Sequence, residues 1–213
     1  MNAAEKLVEI LEKKGVKYIF GIPGEQILPF YNALQKSSIK HILMRNELGA
    51  AHAADAYSRI TGEVGVCIAT AGPGALNLVM GVATAFKDRV PMLVITGDNS
   101  TDLKYGDQFQ SFPLVEVFED ITFKSYDPTT STESITNLYE IFDAFNVYPR
   151  GPIHLNLSKD IQTDEDFEVI KGNYIANFDD ESIGIVQDVI NNAEKPLLLL
   201  GSGAIRSRDR IFE

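Results

Sequence analysis

The chain has 213 residues, 45% of them hydrophobic, and a formal net charge of −11. That length suits one globular domain with a remainder. The acidic balance and the lack of a basic stripe argue against nucleic acid, and a single cysteine, Cys67, excludes a disulfide framework or a cysteine metal site.

No run of about 18 apolar residues marks a membrane span, so no membrane partner is expected. The N-terminal stretch is charged (Glu5, Lys6, Glu9, Glu12) without a signal-peptide layout, and a cytoplasmic location is expected. Ala3 to Lys14 then puts Leu7, Val8, Ile10 and Leu11 on one helical face, with Gly15 suited to end it. Val16 to Ile22 reads as a buried strand, the Gly21-Ile22-Pro23-Gly24 turn follows, and Gln26 to Leu34 reads as a helix. Ile39 to Met44 is a strand, Glu47 to Ile60 a helix closed by Gly62, and Val64 to Ala69 a third strand. Thr70-Ala71-Gly72-Pro73-Gly74 turns into a helix from Ala75 to about Phe86, and Pro91 to Gly97 is a fourth strand.

Beyond Gly97 the pattern loosens. Asp98 to Gln110 reads as a long loop, Pro113 to Glu119 as a short helix, and Ser131 or Thr132 as the cap of a helix from about Glu133 to Asn146. Arg150-Gly151-Pro152 leads into a last strand, Ile153 to Leu157. Lys159 to Asp180 reads as a linker, followed by a helix from about Glu181 to Asn192, a strand Leu197 to Leu200 and a turn at Gly201 and Gly203. The alternation predicts an α/β fold: a doubly wound, mainly parallel sheet with helices on both faces, plus the truncated start of a second α/β domain.

In a parallel sheet, Gly21–Gly24, Glu47, Thr70–Gly74 and Gly97–Asp98 converge at the carboxyl ends of the strands, where open sheets bind ligands. Glu47 stands out as an isolated carboxylate opening a helix of Ala and Gly. First-turn acids are common there, because the dipole favours them by about 0.3–1 kcal/mol. Only Arg45 is near in sequence, and strand alternation points it the other way. His52 could turn toward Glu47 from the helix, although a flanking histidine is more often simply solvated. Gly72-Pro73-Gly74 imitates two glycines of a dinucleotide fingerprint, with Asp98 near the place of a ribose-binding acid, but Asn77 replaces the third glycine. No G-x-S-x-G elbow is present, and His41, His52 and His154 lack metal-ligand spacing.

Four segments in order, Phe20-Gly-Ile-Pro-Gly, Arg45-Asn-Glu-Leu-Gly-Ala-Ala-His-Ala-Ala-Asp-Ala-Tyr, Ala69-Thr-Ala-Gly-Pro-Gly-Ala-Leu-Asn and Val90-Pro-Met-Leu-Val-Ile-Thr-Gly, resemble the N-terminal, pyrimidine-binding domain of thiamine diphosphate-dependent enzymes. The acetolactate (acetohydroxyacid) synthase large subunit is the nearest branch. The resemblance implies a pyrimidine-binding domain over residues 1–165, a linker over 166–180 and the incomplete start of a central domain over 181–213. It implies that Glu47 hydrogen-bonds N1′ of the cofactor's aminopyrimidine and so relays the proton taken from thiazolium C2. A buried carboxyl among Ala and Gly would suit that role.

By the same resemblance, Gly21, Pro23, Gly24, Thr70, Pro73 and Asn77 line the pyrimidine pocket, Gln110 faces the substrate side, and Arg150 matches an arginine that contacts FAD in flavin-containing members. Each glycine would serve equally well as plain turn chemistry, Phe109 as filler and Arg150 as a surface residue. Lys159-Asp160 matches a strand-ending pair read as structural. The family holds the diphosphate and Mg²⁺ on a further domain with a Gly-Asp-Gly motif, which these 213 residues lack. Half a site is therefore expected, completed by a diphosphate-binding domain or subunit, in a homodimer or larger assembly that acts on a 2-oxo acid. Two other readings stay open at this point: a nicotinamide-binding oxidoreductase domain using Asp98, and a non-catalytic interaction subunit.

Overall fold

On one strand, Val66 and Ile68 face one layer of helices while Cys67 and Ala69 face another. The computed structural model describes residues 1–104, 106–172, 180–197, 199–201 and 204. They divide into two compact units, Met1–Ile175 and Ala176–Glu213.

The first unit is built on six strands: β1 (Tyr18–Gly21), β2 (Lys40–Leu43), β3 (Gly65–Ala69), β4 (Met92–Asp98), β5 (Lys124–Tyr126) and β6 (Pro152–Ser158). They form one sheet in the order β2-β1-β3-β4-β6-β5, and every neighbouring pair is parallel. Parallel neighbours need crossovers, and helices supply most of them. One layer holds α1 (Ala3–Lys13), α2 (Leu28–Leu34) and α7 (Ser131–Ala144), packed on Ile19, Val66, Ile68, Leu93 and Ile95. The other holds α3 (Glu47–Thr61), α5 (Val79–Lys87) and α6 (Leu114–Glu119), packed on Cys67, Ala69, Met92 and Val94. Phe30 and Phe118, one from each layer, are among the largest fully buried side chains. Burying one such ring contributes roughly 1.5–3 kcal/mol.

Helix starts follow their local chemistry. Asn2 and Glu5 form a reciprocal capping box on α1, and Asn46 caps α3 by accepting from Leu48 N at 2.7 Å. Each such cap is worth about 1 kcal/mol. Thr130, rather than Ser131 or Thr132, caps α7 by accepting from Glu133 N, so that helix starts two residues before the position expected from the sequence.

Other boundaries depart further. The expected helix from Ala75 to Phe86 is two helices, α4 (Pro73–Leu76) and α5, broken at Asn77 and Leu78. Glu25–Ile27 is a short 3-10 turn leading into α2. β5 was not foreseen, and Lys159–Thr163, read as linker, forms α8. Gln162 fixes α8 against the start of α2 and the end of β6 from a fully buried position. Its Nε2 donates to Gln26 O at 2.8 Å and Leu157 O at 2.9 Å, and its Oε1 accepts from Phe30 N at 3.3 Å.

In the second unit, α9 (Asp180–Asn192) exposes Ile183, Val186, Val189 and Ile190. No strand forms at Leu197, Leu199 or Leu200, and Ser202 and Gly203 of the expected turn lie outside the described residues. No described helix is long and apolar enough to cross a membrane.

Candidate functional site

Because every strand is parallel, the loops after β1, β2, β3 and β4 emerge on one edge of the sheet. Met44 N donates to Gly21 O at 3.0 Å, so the end of β1 fixes the chain three residues before Glu47. Glu47 then opens α3, where unpaired helix N–H groups favour a carboxylate. Asn77, at the break between α4 and α5, donates from Nδ2 to Glu47 Oε2 at 3.0 Å.

The other oxygen, Oε1, makes no hydrogen bond among the described residues and lies beside Gly74; a Cβ added there would sit 3.4 Å from it. Glu47 is half-buried, not the buried carboxyl expected from its Ala-rich helix, because the first turn of α3 follows exposed Arg45 and Asn46 at the edge of the sheet. Arg45 and His52 are exposed, and the polar partner that Glu47 finds is Asn77.

Backbone fits tightly around this carboxylate. A Cβ on Gly24 would overlap the Thr70 side chain, and one on Gly74 would meet Thr70 Cγ2 at 2.9 Å. Thr70 Oγ1 donates to Gln26 Oε1 at 2.8 Å, which joins the loops after β1 and β3. Gly72 has φ +54°, and a Cβ there would stand 2.5 Å from the Gln110 carbonyl oxygen. Gln110 is itself left-handed at φ +60°, a costly conformation for a residue with a side chain. The structure therefore gathers Gly21, Gly24, Thr70, Gly74, Asn77 and Glu47 at one mouth, with the Gln110 backbone as a wall. Pro23 and Pro73 are exposed on the same turns.

A model of the thiamine pyrophosphate enzyme N-terminal TPP-binding domain matches residues 1–117, just over half of the chain. The chain belongs to this family. A probable acetolactate synthase large subunit of Methanocaldococcus jannaschii is 38% identical over 218 residues, covering 97% of this chain and 37% of the relative. The acetolactate synthase large subunit of Pyropia yezoensis is 40% identical over 219 residues, with the same shares. The chain thus spans little more than a third of the length of these curated relatives. A thiamine diphosphate-dependent 4-hydroxybenzoylformate decarboxylase of Rhodococcus jostii superposes with a TM-score of 0.84 over 98% of this chain and 41% of its own, at 19% identity, a likeness of fold.

Arg150 stands apart from the mouth around Glu47. It precedes β6, so it lies at the amino edge of the parallel sheet, opposite Glu47. Its guanidinium covers the Tyr148 ring at 4.6 Å, and its buried Nε finds no acceptor among the described residues. Asp98 is 2% exposed and turned inward, accepting from Asn99 N and Asn156 Nδ2, each at 2.8 Å.

Tyr31 and His41 escaped the sequence reading. Tyr31 OH and Gly21 O each lie 3.2 Å from His41 Nε2, so one N–H serves both oxygens and Tyr31 keeps its own proton to donate. Burial, and then the charge of Glu47, push the Tyr31 hydroxyl above its ordinary range. Tyr31 reads as core from its helical position, and nothing local in the sequence pairs it with a strand histidine ten residues away.

Proposed function

We propose that this chain supplies the pyrimidine-binding side of a thiamine diphosphate enzyme resembling acetolactate synthase. The observation that carries the reading is the Glu47 carboxylate, with one oxygen held by Asn77 and the other, beside Gly74, without a hydrogen bond among the described residues. A flat heterocycle fits a mouth where Gly24 and Gly74 leave out side chains and Thr70 forms the floor. Glu47 Oε1 is free to share a proton with a ring nitrogen, as a positioned acid–base group must. Asn77 fixes the other oxygen, so the free one has a defined direction. Gly21, Pro23, Thr70 and Pro73 shape the pocket through backbone approach.

When bound, thiamine diphosphate supplies the carbanion-stabilising thiazolium on which a 2-oxo acid such as pyruvate is decarboxylated and joined to a second 2-oxo acid. Gln110, on the wall over the Gly72 turn, faces the side from which that acid enters. The described residues contain no group of three or more His, Cys, Asp or Glu suited to a metal. By the family resemblance, Mg²⁺ and the diphosphate are assigned to a diphosphate-binding domain or subunit, in a homodimer or higher assembly formed through this domain. Arg150, on the opposite edge of the sheet, is the candidate for an FAD contact. Asp98, buried and accepting from Asn156, counts against a nicotinamide reading, which needs that acid open to a ribose. The open carboxylate likewise favours catalysis over a purely structural interaction role.

Titration calorimetry with thiamine diphosphate and Mg²⁺, with and without a separately expressed diphosphate-binding domain, tests this. Binding only in the presence of that domain is expected. No heat with either preparation would overturn the reading.

A further inference from the structure

Where β4 and β6 pair, the face turned toward α6 carries polar side chains. Register sets Val94 beside His154, Thr96 beside Asn156 and Asp98 beside Ser158. All but Val94 of these are polar, and all are buried. The hydrogen-bond directions follow from the chemistry of each group. Asn156 Oδ1 can only accept, so Thr96 gives it its proton at 2.8 Å. Thr96 Oγ1 then accepts from His154 Nε2 at 2.7 Å, which leaves Nδ1 to accept from the Ser125 hydroxyl at 2.7 Å. Asn156 Nδ2 donates onward to Asp98 Oδ2 at 2.8 Å and Asp127 Oδ1 at 3.2 Å. A directed chain therefore ends on two carboxylates.

Lys104 meets them. Its ammonium pairs with Asp127, lies 3.5 Å from Asp98 Oδ2 and reaches Ser158 Oγ at 3.4 Å, with the side chain only 8% exposed. Lys104 comes from the loop after β4, not from the sheet. The same loop is tied at Thr101, whose hydroxyl donates to Asp160 Oδ2 at 2.5 Å, and at Asn99, whose Nδ2 donates to Phe109 O at 3.2 Å. Its far end lays the Gln110 carbonyl on Gly72. A buried ammonium between two carboxylates is hard to withdraw, because each partner left behind is an uncompensated buried charge.

We propose that Lys104 is a positioning residue. Its ammonium latches the loop of residues 99–112 to β4 and β6, and so sets the Gln110 wall against the Gly72 turn before any ligand or partner arrives. The latch is a property of this chain's own charges and stands whichever cofactor the mouth takes.

Amide hydrogen exchange tests it, read at Leu103, Gly106 and Ser111, whose N–H groups bond within the loop, and at the amides of β4 and β6. Lys104→Cys removes the ammonium. Treatment with 2-bromoethylamine rebuilds an ammonium of nearly the same reach at that position and spares Cys67, which is fully buried. Lys104→Met combined with Asp127→Asn removes the latch while keeping the net charge of the triad. Loop amides should exchange about tenfold faster or more in both variants, while the strands keep their protection, and aminoethylation should return the loop to within about twofold of the wild-type rate.

Unchanged loop exchange would overturn the proposal, and so would failure of the rebuilt ammonium to restore protection. Loosening in Lys104→Cys alone would assign the effect to an uncompensated carboxylate, and equal loosening of the strands in both variants would make Lys104 a support of the sheet. Either result also rejects the latch.

Discussion

The side-chain amide of Asn77 donates to Glu47 Oε2 across 3.0 Å, joining the break between α4 and α5 to the first turn of α3. That contact makes the carboxylate directional. Glu47→Gln keeps the shape but cannot share a proton as a carboxylate does. With the diphosphate-binding domain supplied, turnover of a 2-oxo acid should fall about a hundredfold or more. Stability should stay within about 0.5 kcal/mol, since the side chain is half-exposed and makes one hydrogen bond. Asn77→Ala should weaken cofactor binding about three- to tenfold by leaving Oε2 without a donor. Steady-state rates and urea unfolding of the same preparations check all three expectations.

Gly72→Ala should be costly for two separable reasons. Its φ of +54° disfavours any side chain, and the new Cβ would lie 2.5 Å from Gln110 O. Gly15 isolates the first effect, because its φ is +86° and nothing lies within 4 Å of a Cβ built there. Gly15→Ala should cost about 1 kcal/mol, and Gly72→Ala about 2–4 kcal/mol unless the loop moves away. Equal losses in urea unfolding would mean that Gln110 gives way freely.

The readability of this chain tracks how local each cause is. β3 is apolar throughout and β4 is apolar from Met92 to Ile95, both bounded by turns, so their composition announces them, and Gly62 closes α3 in the sequence itself. The break at Asn77 is different. Gly-Ala-Leu-Asn-Leu-Val continues a helical pattern, and nothing in that pattern marks the amide that turns out to Glu47, thirty residues earlier. α8 depends on Gln162 bonding three backbone groups, two of them more than 130 residues earlier, where composition alone reads a polar linker. Ile153-His-Leu-Asn-Leu-Ser alternates as a half-exposed strand would. Here both faces are buried, and the polar face is satisfied by Thr96, Ser125 and Asp98. The alternation was the available signal, and only the register with β4 gives it meaning. Glu47 itself was legible as an odd carboxylate, while its partner and its half-buried position were tertiary facts.

Cys67 offers a simple check on the integrity of the core. Burial pushes its thiol up to about 12, and its Sγ lies 3.9 Å from the Met92 sulfur. Because the thiolate is the reactive form, the native protein should resist a disulfide reagent such as 5,5′-dithiobis(2-nitrobenzoate) at pH 8. In denaturing urea the single thiol should react at once. Rapid release of the chromophore from the native chain would show that the α3 side of the sheet opens readily.

The buried imidazole of His154 predicts how stability responds to acid. Burial first, and then the charge of Lys104, push it from 6.5 down to about 3. In the unfolded chain the same ring titrates near 6.5, so between those values the unfolded state binds a proton that the native state does not. Stability from this site is therefore complete above about 6.5 and falls as pH drops toward 3, by up to about 1.4 kcal/mol per unit. His41 is also lowered by burial and adds a slope of the same sign. The lowered carboxyls of Glu5, Glu9, Glu12, Glu63 and Asp164 add theirs nearer the carboxylate range, so the histidines are best read between pH 6 and 5. His154→Gln can still donate to Thr96 but loses the ring lying 4.3 Å from Phe118. It should be less stable than wild type at pH 7.5 by about 1–3 kcal/mol. It should also lose less stability from pH 6 to 5, by close to about 1 kcal/mol. Urea unfolding at pH 7.5, 6 and 5 measures both quantities, and parallel slopes for the two proteins would mean that His154 takes up its proton without unfolding.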